Sequence, residues 1–290
     1  MLKKMLAAGN RGARNYGYTS GGAASATPSN VIDKFPFATD SNATDVGNLT
    51  VARTNLAGQS SSISGYSSGG NVGSSNVIDK FPFSTDTDAA DVGDLTTSRT
   101  QLSGQSSNSY GYTSGGTNNV IDKFPFATDS NASDVGDLTL QRSNITGHSS
   151  KNNGYTSGGS GYSDLIEKFS FATDGDATDI ANLSVARQGP AGQSSNSHGY
   201  TSGGTTGSDS NVIDKFTFAT DNNATDVGDL SAARVGPAGQ SSVVYGYSSG
   251  GQVSAADSNI IDKFSFATDG NATDVGDLTV ARFTACGQQY

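Results

Sequence analysis

The hydrophobic positions of this chain fall in short alternating runs. In Val77-Ile78-Asp79-Lys80-Phe81-Pro82-Phe83, an extended backbone puts Val77, Asp79, Phe81 and Phe83 on one face and Ile78 and Lys80 on the other. Such runs, rich in Ser, Thr, Val, Ile, Phe and Tyr, are punctuated by Gly, Asn and Asp roughly every 8 to 12 residues, the spacing of an all-β chain. No stretch carries apolar residues at helical spacing between helix caps. One unit predicts four short strands, near residues 59–63, 66–69, 77–83 and 91–95. Apolar residues on both faces suit a sheet packed between two neighbours.

The pattern repeats. A Gly-Tyr-(Thr/Ser)-Ser-Gly-Gly string places its tyrosine at Tyr18, Tyr66, Tyr112, Tyr155, Tyr200 and Tyr247, at steps of 43 to 48 residues. Each copy continues with a version of Val-Ile-Asp-Lys-Phe-Pro-Phe-Ala-Thr-Asp, then Ala-Thr-Asp-Val-Gly-Asp-Leu, an arginine and Gly-Gln-Ser-Ser. The fourth copy is the degenerate one, with Leu165-Ile166-Glu167-Lys168 and Ile180-Ala181-Asn182-Leu183. This period, with four strands per unit, fits a β-propeller blade and is too long for one coil of a β-helix. The expected fold is therefore all-β: a single six-bladed β-propeller of four-stranded antiparallel blades. Residues 1–16 would hold an N-terminal extension and the start of the first blade, and residues 17–290 the propeller, with repeats starting near 17, 65, 111, 154, 199 and 246.

The Gly-Gly doublet closing a tyrosine-bearing strand, the aromatic-rich strand after it and the Leu…Arg…Gly-Gln-Ser-Ser tail resemble the kelch repeat over residues 17 to 290. Phe35, Phe81, Phe124, Phe169, Phe216 and Phe264 stand where a kelch unit has its tyrosine, and the kelch tryptophan is absent. The near-identical tandem copies are also similar to repeat proteins encoded by marine bacteriophages, which implies a virion component.

Ring closure can be read from register. Gly58-Gln59, Gly104-Gln105, Gly147-His148, Gly192-Gln193, Gly239-Gln240 and Gly287-Gln288 each follow their arginine by five residues. The first five open a following blade, but the sixth lies at the C-terminal end of the sequence. The rival Gly9-Asn10 is one residue out of register with Tyr18, and a one-residue slip turns side chains to the wrong face. Residues 287–290 are thus expected to form the innermost strand of the first blade, beside residues 18–21, with residues 1–13 as an extension. Gln59, Gln105, His148, Gln193, Gln240 and Gln288 are expected to form a polar ring at the axis.

Composition narrows the chemistry. Hydrophobic residues make up 33% of the chain, with 38 glycines, no tryptophan and a net charge of −10. That charge is mild for 290 residues and argues against a charge-swollen disordered chain. A pI near 4.4 argues against nucleic-acid binding. The single cysteine, Cys286, excludes an intramolecular disulfide framework and a cysteine-rich zinc site, and reads as a small buried residue. No apolar run is long enough for a membrane helix, and the run after Lys3-Lys4 is too short for a signal peptide.

Six equivalent copies of a residue point to packing, because an active site is usually one constellation. Arg53, Arg99, Arg142, Arg187, Arg234 and Arg282 are therefore expected between blades, each paired with an Asp of a neighbouring Asp-Val-Gly-Asp segment. In the turn from Thr39 to Asp45, Asp40, Asn42 and Thr44 have the alternating oxygens of a calcium loop, but the sixth position is Asp45 and Val51 stands where a bidentate Glu belongs. An Asx-rich turn explains the same residues. The Asn-Ala-Thr sequons there follow from turn chemistry, and glycosylation would need a secretory host. His148 and His198 read as drift within the repeat, so no catalytic residue, metal or cofactor is expected.

Variation concentrates after Gly-Gly and after the arginine. Strands two and four run the same way in an antiparallel blade, so both loops emerge on one face of the disc, with the uniform Asp-rich turns on the other. A variable face on a uniform scaffold suits binding. The expected protein is a non-enzymatic structural or adhesive propeller in a virion or extracellular setting. Its variable face would meet another virion protein or a host-surface glycan, without nucleic acid or membrane. The alternative is a kelch-like polysaccharide hydrolase or lyase.

Overall fold

The computed structural model describes residues 15–71, 73 and 75–289. The expected extension over residues 1–13 and the terminal Tyr290 lie outside these residues. Six four-stranded antiparallel sheets form a closed ring, a six-bladed β-propeller. Blade one consists of Cys286–Gln289, Tyr16–Ser20, Val31–Pro36 and Thr44–Asn48, from the axis outward. Blade two consists of Ala57–Ser60, Ser64–Ser68, Val77–Pro82 and Ala90–Asp94. Blades three to six span 103–137, 146–182, 191–229 and 238–277. No helix among the described residues is long and apolar enough to cross a membrane.

The C-terminal strand closes the ring as its register requires. Gln288 lies opposite Tyr18, as Gln59 lies opposite Tyr66 in blade two. The innermost strands begin and end earlier than expected, at Ala57–Ser60 and not at residues 59–63. The reason is a tight turn: Ser61 N–H donates to the Ser64 carbonyl, while Ser61 Oγ accepts from the N–H groups of Ile63 and Ser64.

Each blade buries both faces, so the core is divided into six slabs between blades. The third strand of blade two shows how alternation builds them. Asp79, Phe81 and Phe83 look back to blade one, where Phe81 and Phe83 pack on Tyr18 at centroid distances of 5.5 and 4.9 Å. Ile78 and Lys80 look forward to blade three, where Ile78 joins Tyr66, Leu95 and Phe124 in one cluster. Each tyrosine thus meets two phenylalanines of the next blade, and each such pair is worth about 0.5–1.5 kcal/mol beyond its buried area. Burial pushes the phenols of Tyr66, Tyr112 and Tyr200 up to about 12.

The Gly-Gly corners need their glycines. Gly21 and Gly22 have φ of 66° and 98°, and Gly22 N–H donates to the carbonyl of Arg53, the residue that leaves the same blade. This bond ties the exit from each blade to its own second strand.

Candidate binding site

Three kinds of seam join the blades. In the first, Arg53 is fully buried and its Nη2 lies 2.5 Å from Asp79 of the next blade. The equivalent pairs are Arg99–Asp122, Arg142–Glu167, Arg187–Asp214, Arg234–Asp262 and Arg282–Asp33. The partner is not the expected acid of the Asp-Val-Gly-Asp segment. Asp45, one of those acids, is exposed and accepts from the N–H of Gly47. Asp79 sits on the strand face that looks back across the seam, where it also accepts from Thr50 N–H and Oγ1. Arg53 Nη1 further donates to the carbonyls of Gly69 and Val77. Burial pulls the guanidinium of Arg282 down and Asp33 partly restores it.

The second seam lies on the uniform face. Lys34, Lys80, Lys123, Lys168, Lys215 and Lys263 each pair, at 2.5–2.8 Å, with an Asp in the outer turn of the next blade. Asp40, the first oxygen of the calcium-like loop, is the partner of Lys263. Asn42 Oδ1 accepts from Asp277 N–H. The loop's oxygens are therefore directed at the preceding blade. No group of three or more His, Cys, Asp or Glu among the described residues could hold a metal ion.

The third seam is formed by Gln59, Gln105, His148, Gln193, Gln240 and Gln288, all buried on the innermost strands. They do not point into the lumen. On a propeller strand the side chains face neighbouring blades and the backbone edge faces the axis. Gln59 Nε2 donates to Ser68 Oγ of its own blade and to the Tyr112 carbonyl and Thr113 Oγ1 of the next. His148 takes the same place, with Nε2 at 2.9 Å from Ser157 Oγ and Nδ1 at 3.2 Å from the Gln193 carbonyl. Its burial lowers the imidazole pKa from 6.5 to about 4, so it is neutral at pH 7. His198 lies at the start of a second strand beside Ser197 Oγ. Cys286 is buried in the seam between blades one and two, and burial pushes its thiol up.

Sequence reasoning missed what lines the axis. A cavity of about 770 Å³ runs along it, lined by glycines, serines and other uncharged residues from all six blades. Gly58, Gly104, Gly147, Gly192, Gly239 and Gly287 form its tightest layer. A Cβ on any of them would fall far inside contact distance of the preceding glycine's carbonyl oxygen. Next to this layer is a closed hydrogen-bonded ring. Ser60 N–H donates to Ser106 Oγ, Ser106 to Ser149, Ser149 to Ser194 and Ser194 to Ser241, at 2.9–3.0 Å. Ser241 N–H donates to Gln289 Oε1, and Gln289 N–H returns to Ser60 Oγ. The serine of Gly-Gln-Ser was the available signal, since five copies carry it two residues after the glycine.

A second closed ring circles the axis on the variable face and is made wholly of backbone. Asn55 N–H donates to the Thr284 carbonyl, Gln101 to Asn55, Asn144 to Gln101, Gly189 to Asn144, Gly236 to Gly189 and Thr284 to Gly236. All six are left-handed, with φ of 52–68°.

The loops on that face are unequal. Blades one and six carry small hairpins, Ala23–Ala24 with Thr27–Pro28 and Gln252–Val253 with Ala256–Asp257. Ser25 N–H donates to Asp257 of blade six at 2.7 Å, and Ser254 N–H to Asp209 of blade five at 2.8 Å. The loops of blades five, six and one thus form a linked crescent, next to the exposed Tyr162 of blade four. Blade three has only Thr117 and Asn118 between its Gly-Gly and Asn119. No protein-family profile matches the chain, and no curated protein sequence is significantly similar to it.

Proposed function

We propose that this protein is a non-enzymatic structural or adhesive propeller, a kelch-like virion or extracellular component whose variable face meets a protein or a surface glycan. The linked crescent carries this reading: side-chain bonds hold unequal loops against one another on one face of a disc whose other face repeats six times. The twelve cations of the repeat support it, because each pairs with an acid of the adjoining blade. Such a rigid scaffold with variable loops suits recognition. The test is a glycan array together with incubation of each retained polysaccharide. Retention without shortening of the chains supports adhesion, and shortened chains favour a hydrolase or lyase. Replacing the Ser254-Ala255 tip should weaken retention if the crescent makes the contact.

A further inference from the structure

The axial cavity has a chemistry of its own. Along an antiparallel strand, alternate residues turn their N–H and C=O groups to opposite edges. Ser60 N–H turns away from strand two toward Ser106 Oγ, so the peptide groups of Gly58, two residues earlier, face the axis as well. The same holds around the ring. Ser60, Ser106, Ser149 and Ser194 accept through Oγ from a backbone N–H, and each hydroxyl carries its own hydrogen as a donor. Toward the variable face, Leu56, Leu102, Ile145, Pro190, Pro237 and Ala285 form an apolar collar. Among the described residues no Asp, Glu, Lys or Arg lines the cavity, and the two titratable residues on its wall, His148, whose ring is turned into the seam, and Cys286, are uncharged near pH 7.

Such a wall selects by class. A charged ligand would leave water for a site with no counter-charge, and an apolar ligand would strand glycine and serine groups without partners. A ligand with C–H surface for the collar and neutral hydroxyls for the ring satisfies both. The volume lies within the usual 300–1,000 Å³ or so of small-molecule sites. We propose that the axial channel is a binding site for a neutral polyhydroxylated ligand, a sugar or the end of a neutral glycan, held by the serine ring and the collar. This goes beyond the adhesive reading: the crescent can meet a partner with the channel empty, and the channel can hold a sugar with the crescent idle.

Blade six's C-terminal neighbour supplies the test variant. Gln289 stands where the other blades have serine and accepts the same kind of bond through Oε1. Ser106→Gln and Ser194→Gln, singly and together, therefore keep an acceptor in the ring while replacing the small hydroxyl on the channel wall with a bulkier amide. Binding of maltotriose, cellotriose and the acidic trisaccharide trigalacturonate is measured by calorimetry and saturation-transfer NMR at low and high salt. The expected result is saturable binding of a neutral trisaccharide, unchanged by salt, and at least about tenfold weaker in the double variant with its melting temperature retained. If the double variant melts early, Ser194→Gln alone is read, with partial weakening expected. The proposal is overturned by no neutral binding up to about 10 mM, meaning water alone in the channel. It is equally overturned by preference for trigalacturonate, or by undiminished binding in folded variants. Loss on replacing the Ser254-Ala255 tip, with the Gln variants unaffected, would place the sugar on the crescent.

Discussion

Acidification should loosen the ring at one blade, through His148. Its imidazole is fully buried, and desolvation lowers its pKa from the ordinary 6.5 to about 4, opposed by the hydrogen bond to the Gln193 carbonyl. A folded-state pKa below the unfolded value means that the unfolded chain takes up the proton first. The stabilising contribution is whole above about pH 6.5, falls as pH drops through the window to about 4, and is gone below it. At about 1.36 kcal/mol per pKa unit, going from about pH 7.5 to 4.5 should remove roughly 2.5 kcal/mol, or roughly 5–10 °C of melting temperature for a chain of this size. Carboxylates titrate in the same window, so the comparison is with His148→Gln, the residue that the other five blades carry. Melting curves of both proteins across this range isolate the histidine: the wild type should lose more stability than the variant by that amount. Parallel pH dependences in the two proteins would refute the reasoning.

The buried and exposed ion pairs should behave oppositely. Arg99→Met leaves Asp122 buried without its cation and should cost about 3–5 kcal/mol by denaturant unfolding, at low and high salt alike. Lys80→Ala, whose ammonium and Asp129 are both partly exposed, should cost under about 1 kcal/mol, and less in salt. Thr284 is a β-branched residue held at φ 52°, where Gly189 and Gly236 stand in two other copies. Thr284→Gly should therefore leave the backbone ring intact and raise stability by about 1 kcal/mol, read as a higher melting temperature. Gly104→Ala should lower it by about 1–3 kcal/mol or more, because its methyl group meets the Gly58 carbonyl. Deleting residues 285–290 removes the inner strand of blade one and the bonds of Gln288 to Tyr66 and Ser67. It should give an early-melting, self-associating protein in size-exclusion chromatography, and should be far more damaging than deleting residues 1–8.

Strand count, blade number and ring closure could be read from the chain because each is written locally or by repetition. A two-residue alternation names the strands, a period near Tyr18 to Tyr66 names the blade, and the offset from Gly to Tyr identifies Gly287-Gln288 as a displaced first strand. The partner of Arg53 was not legible: Asp79 and the Asp-Val-Gly-Asp acids are both repeated, and only the stacking of blades shows which strand face looks back across the seam. Gln59 was recognisable as an innermost residue, yet its direction depends on the strand's edge, and not its side chains, facing the axis. The backbone ring joins Asn55, Gln101, Asn144, Gly189, Gly236 and Thr284, which share no side-chain chemistry. Their common feature is a left-handed backbone, which any of them can be held in once six chain segments converge. Circumferential bonds of this kind come into being when the ring closes, so the tertiary structure alone decides them.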